Sequence, residues 1–136
     1  MKTHNPANER IKRQYMTFLK EAKRQHETSL DAAAEAISRF EEFSRYRDFK
    51  TFHVDLAVAF KRHLGEALAV RTGKPLSKAT VYSTLSHLKR FFQWLASEPG
   101  YRAKLKYSDA EYFNPSEKDS RIATAHHYPT DVIAGV

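Results

Sequence analysis

Apolar positions recur along the chain with a helical period in four separate runs. In the first, Ala7, Ile11, Tyr15, Phe18 and Ala22 fall three and four residues apart and predict one buried stripe. Asn5 is a good cap for this helix, and Pro6 suits the first helical position. Lys12, Arg13, Lys20, Lys23 and Arg24 occupy its other side, and the pattern stops near residues 25–27. The second run, Leu30, Ala33, Ile37, Phe40 and Ser44, is widened by Ala36 and Phe43 and starts from Thr28 or Ser29 as cap. Its outer face mixes Asp31, Glu35, Ser38, Arg39, Glu42 and Arg45, an ordinary solvated surface, and it ends in the basic, aromatic stretch "RYRDFK".

A third helix is expected from near Thr51 through Phe52, Leu56, Ala59, Phe60, His63, Leu64 and Ala67. "RTGKP" then breaks it, because Gly73 can take a left-handed cap and Pro75 cannot continue a helix. His53 and His63 sit near the apolar side of this helix and read as structural histidines rather than metal ligands.

The fourth run, "LSKATVYSTLSHLKRFFQWL", is the most regular. With Ser77 as cap, Val81, Leu85, Leu88, Phe92 and Leu95 fall within about 80° of one another at 100° per residue. Thr80, Ser83, His87, Arg90 and Trp94 lie opposite, and no acid occurs between Leu76 and Leu95. A helix that only packs on a core usually shows solvent both Lys and Glu. "EPG" closes the run, and a short helix is expected over residues 108–113, stopped at Asn114 and Pro115. The rest has little periodicity and reads as a linker or tail over residues 116–136, after a helical domain over residues 1–115. Short loops make sequence neighbours spatial neighbours. The expected fold is all-α: a compact bundle of four main helices and a short fifth.

Composition agrees. A chain of 136 residues is one domain's length, and 4 glycines and 5 prolines leave few tight turns. Without cysteine there is neither a disulfide frame nor thiolate chemistry, and a soluble, cytoplasmic protein with no membrane partner is expected. The net charge of +7 is unevenly spread: +4 over residues 1–27, −1 over 28–50, zero over 51–70, +7 over 71–106 and −3 over 107–136. Two separate basic segments could form two sides of one surface, which suits a polyanion. The plain alternative is a solvated basic protein.

The order and spacing of these features resemble the N-terminal core-binding (SAM-like) domain of tyrosine recombinases, the phage integrase family. The fourth helix there commonly opens with Ser-x-x-Thr and closes with aromatic residues, here Ser77-Lys78-Ala79-Thr80 and Phe91-Phe92-Gln93-Trp94-Leu95. The helix, short turn and helix of "YMTFLKEAKRQHETSLDAAAEAISRFEEF" also match, although Ala32 stands where a Thr is common. The likeness covers roughly residues 5–130, with "YSDAEYFNPSEKDSRIATAHHYPT" as last helix and connector. It implies the duplex-DNA-binding arm of a site-specific recombinase acting in DNA integration or recombination. The implied partners are duplex DNA, a C-terminal catalytic domain of the same protein and neighbouring recombinase protomers, and the implied setting is the nucleoid.

On this reading Lys78, Thr80, Ser83, Thr84, His87 and Arg90 of the fourth helix, with Lys74 before it, contact base edges and phosphates. Arg45, Arg47 and Lys50 add a second basic group. Trp94 reads instead as packing on another helix.

His87-x-x-Arg90 has the form of a catalytic motif of these recombinases, but the reading is coincidence. Tyr101, Tyr107, Tyr112 and Tyr128 follow without the converging cations a phenol nucleophile needs. The chain alone is not expected to be an enzyme or to need a cofactor. No Gly-rich phosphate loop occurs, and His126-His127 with His4 or His26 matches no standard zinc spacing. Two alternatives remain: a helical protein-interaction module with a merely solubilising surface, and general RNA binding.

Overall fold

A computed structural model describes residues 4–67 and 72–114. Four main helices form the fold: α1 (Pro6–Thr17), α2 (Glu27–Ser44), α3 (Val54–Glu66) and α4 (Lys78–Leu95). α1 continues into a π-helical turn, Phe18–Ala22, and short 3-10 helices span Phe49–Thr51 and Tyr107–Phe113. No β-strand occurs among the described residues, so the fold is all-α. The tail over residues 116–136, with His126, His127 and Tyr128, lies outside the described residues, as does the domain boundary drawn at 115.

Local chemistry sets most of the ends. The Asn5 side chain accepts the N–H groups of Ala7 and Asn8, and Pro6 follows it at the first helical position. Ser77 accepts the Thr80 N–H at the start of α4. α3 ends at Glu66 with Ala67 extended as its C-cap, so Gly73, although left-handed at φ +70°, lies in the connector before α4 and does not cap α3 as expected. α2 departs from expectation: it starts at Glu27 with His26 as an extended N-cap whose side chain makes no capping bond, so Thr28 and Ser29 already lie in the first turn. α3 starts three residues late, because Phe49–Thr51 forms its own 3-10 turn and Phe52 and His53 are extended.

The first helix also corrects its expected stripe. Ile11 and Tyr15 are buried, but Leu19 is buried while Ala22 is exposed. The wider π turn shifts the register, and Gln25 N–H closes on the Leu19 carbonyl with Arg24 left-handed at φ 53°.

The core is built from phenylalanine rings. Phe40 of α2 meets Phe52, Phe60, Phe92 and Phe113 edge-on at 5.2–6.2 Å between ring centres. Phe52 stacks on Phe92 at 4.1 Å and on Phe113 at 5.2 Å. Edge-on and offset stacks are the favoured aromatic geometries, contributing about 0.5–1.5 kcal/mol each beyond area burial. Phe113 thereby ties the last 3-10 helix to α3 and α4. His63 is exposed and lies on the Phe43 ring at 4.9 Å, and exposed His53 takes its Nδ1 to the Thr51 carbonyl, so both serve local structure.

Candidate nucleic-acid interface

α4 is the central helix. Val81, Leu85, Leu88, Phe92 and Leu95 are all buried, as their spacing predicts, and Thr84 and Phe91 widen that face. α2 packs along one flank of the stripe and α1 along the next. Of the eighteen α4 residues only Lys78, Ala79 and Arg90 are fully exposed. The polar side opposite the stripe is therefore partly covered rather than open.

That arrangement divides the expected site. Thr84 is 5% exposed and faces α2, so it cannot touch DNA from the folded domain; this corrects the sequence reading. Ala32 and Ala36 of α2 line one shallow groove with Thr84, and α2 packs against α4 there. Thr80 and Ser83 are half-buried in the same shallow groove, beside the Glu35–Arg39 ion pair of 2.8 Å. The Thr80 hydroxyl accepts from the Ser77 hydroxyl at 2.9 Å. The acid-free helix thus has an acid at its side, supplied by α2. Lys74 and Lys78 are exposed around the N-terminal end of α4.

The other flank of α4 carries a different surface. α1 meets α4 through aromatic rings: Tyr15 lies on Phe91 and Trp94, each at 5.0 Å, and Phe18 on Trp94 at 5.9 Å. Trp94 packs between α4 and α1, as expected from the sequence. Two cations, Arg90 and Lys23, border this seam, and two more, Lys50 and Arg10, act on Tyr101 beyond the end of α4. Exposed Arg90 acts on Tyr15 and on half-buried His87. Lys23 sits over the Phe18 ring at 5.8 Å, and Lys50 over Tyr101 at 5.4 Å. Arg10 acts on Tyr101 from the first turns of α1. The sequence reading names neither Arg10 nor Lys23 as a site residue and places Lys23 only on the polar side of the first helix. The signal available was the +4 of residues 1–27, without the knowledge that α1 lies beside α4.

The local fields have clear directions. Burial lowers the His87 pKa and Arg90 lowers it further, so the imidazole is neutral near pH 7. Burial pushes the Tyr15 phenol up to about 12, against the pull of Arg90. Burial and Asp48 raise Tyr101, opposed by Arg10. Neither phenol is activated as a nucleophile. Tyr107 and Tyr112 are exposed on the last 3-10 helix.

Arg45, Arg47 and Lys50 are all exposed on the α2–α3 connector. The connector's backbone is unusual: Arg45 and Tyr46 are both left-handed, at φ 59° and 61°. Buried Asn8 of α1 holds it. Its Nδ2 donates to the Arg47 carbonyl at 2.8 Å and to Glu41 Oε2 at 3.4 Å, and its Oδ1 accepts the Phe49 N–H at 3.1 Å. Asn5 Nδ2 adds a bond to the Tyr46 carbonyl at 3.3 Å.

Among the described residues no cluster of three or more His, Cys, Asp or Glu could hold a metal ion, and no helix is long and apolar enough to cross a membrane. No family model matches the chain, and neither the curated proteins nor the solved structures yield a match.

Proposed function

We propose that this domain binds duplex DNA along the α1–α4 seam and serves as the DNA-binding arm of a site-specific tyrosine recombinase. It acts with a catalytic domain elsewhere in the protein and does not cut or join DNA by itself. The observation that carries the binding reading is the meeting of two basic segments far apart in sequence. Lys23 of the first segment and Arg90 of the second border the seam, and Arg10 of the first segment acts on Tyr101 together with Lys50 of the α2–α3 connector. Glu9 and Glu41 lie on the opposite flank of α1, both bonded to Lys12. Asp48, which acts on Tyr101, has its Oδ1 occupied by the Lys50 N–H. Such segregation suits a phosphate backbone. The recombinase assignment rests on the resemblance of the helix order and the Ser77-x-x-Thr80 opening of α4.

The test is duplex binding against salt. Neutralising about four to six phosphates gives a log–log slope near −4 to −5, with a preference for duplex over single strands and RNA. A slope near zero, or no binding at low salt, would leave the protein-interaction reading in its place. A nicked duplex substrate tests the non-catalytic half: a covalent protein–DNA adduct on a denaturing gel would overturn it.

A further inference from the structure

We infer that Asn8 is a positioning residue that delivers Arg47 and Lys50 to the duplex backbone as a preformed basic loop; this rests on the DNA-binding reading above. The α2–α3 connector has two consecutive non-glycine residues in the left-handed region, Arg45 and Tyr46. L-residues seldom adopt that region twice in succession, and strain of this kind persists only where surrounding contacts over-determine it. Here those contacts come from α1. Asn8, fully buried, engages both sides of the connector: its amide nitrogen bonds the Arg47 carbonyl and its oxygen accepts the Phe49 N–H. Asn5 bonds the carbonyl of Tyr46, the residue before Arg47.

Phe49 anchors the same segment from inside, 5.1 Å from Phe91 and 5.8 Å from Phe92. Asp48 closes the turn by accepting the Lys50 N–H at 2.8 Å, while Thr51 Oγ1 donates to the Asp48 carbonyl at 2.7 Å. What leaves this frame toward solvent is Arg47 and Lys50, with Lys50 lying over the Tyr101 ring. A loop fixed before binding loses little entropy on binding, so its charges count for more than those of a mobile loop.

The experiment measures affinity of the full chain for a fluorescein-labelled mixed-sequence duplex, well below each variant's unfolding midpoint. Asn8→Ala should weaken binding about fivefold to tenfold and flatten the salt slope. The same change in an Arg47→Ala/Lys50→Ala background should do nothing further, because a residue that acts through two charges has no effect once they are gone. An equal loss in both backgrounds would make Asn8 merely structural and overturn the inference. Asn5→Ser is the milder variant: serine keeps the helix cap and removes only the donor to Tyr46. A loss of about twofold that also disappears in the charge-free background supports positioning, and unchanged affinity overturns it. Failure of the unaltered chain to bind duplex would overturn the parent reading and this inference together, whereas good binding with an additive Asn8 effect overturns this inference alone.

Discussion

Lys12 Nζ lies 2.5 Å from Glu41 Oε1, joining α1 to α2 through a carboxylate that is 1% exposed. A buried carboxylate is tolerated only when its charge and lone pairs are met. Lys12 supplies the charge and Asn8 a second donor, and Glu9 holds the same ammonium at 2.6 Å. Burial lowers the Lys12 pKa, but its hydrogen bonds and charge pairing with Glu41 and Glu9 outweigh this and raise it. Its stabilisation is therefore present below pH 10.5 and lost as pH rises through the higher native value. Lys12→Met should cost about 3 kcal/mol in urea unfolding, because it strands the Glu41 charge. Glu41→Gln should cost less, about 1–2 kcal/mol, since no charge is left behind.

Thr84→Val tests the correction made on α4. A buried threonine facing Ala36 has no route to DNA, so the folded variant should bind duplex as the unaltered chain does in a fluorescence titration. Loss of affinity without loss of stability would return Thr84 to the interface.

What was legible in the sequence was what one helix decides for itself. The five-residue stripe of α4 and the caps Asn5 and Ser77 follow from periodicity and local hydrogen bonding. The covered flanks of α4 were not legible, because they depend on which helices pack there. Glu41 was missed because a charge reads as surface until its partner on another helix is known. Asn8 was missed for the same reason. Phe49 and Phe52 belong to the core from a connector that has no helical period. Leu19 replaced Ala22 because a π turn breaks the 3.6-residue spacing on which the reading relied.

His87 should make stability depend on acidity. Its native pKa is lowered, by burial first and by Arg90 second, from the ordinary 6.5. The unfolded chain then binds more protons than the native one just below pH 6.5, so stability falls as pH drops through that window and levels off below the native value. His87→Gln should flatten this part of the curve of unfolding midpoint against pH. An unchanged slope would assign the acid sensitivity to other groups.

Arg24 ends the first helical segment at φ 53° without being glycine. Arg24→Gly should therefore stabilise the domain by about 0.5–1 kcal/mol, relieving the left-handed cost at a helix terminus while the exposed side chain loses no packing. Thermal unfolding checks it, and a lower midpoint would mean that Arg24 makes a contact that offsets its strain.

The seam and the core can be separated with two residues two positions apart. Arg90 is exposed, and Phe92 is 1% exposed between Phe40 and Phe52. Arg90→Ala should leave unfolding almost unchanged and weaken duplex binding by about 1–3 kcal/mol if it reaches a base edge, less if it meets only phosphate. In the phosphate case the salt slope should fall by about one and the loss should be uniform across sequences. Phe92→Ala should instead cost about 3–5 kcal/mol of stability, because it removes a ring stacked at 4.1 Å on Phe52 and leaves a cavity. The affinity of its folded fraction should change little. Arg90→Ala that unfolds the domain while the remaining folded molecules bind normally would remove Arg90 from the interface and leave Arg10, Lys23 and Lys50 to account for binding.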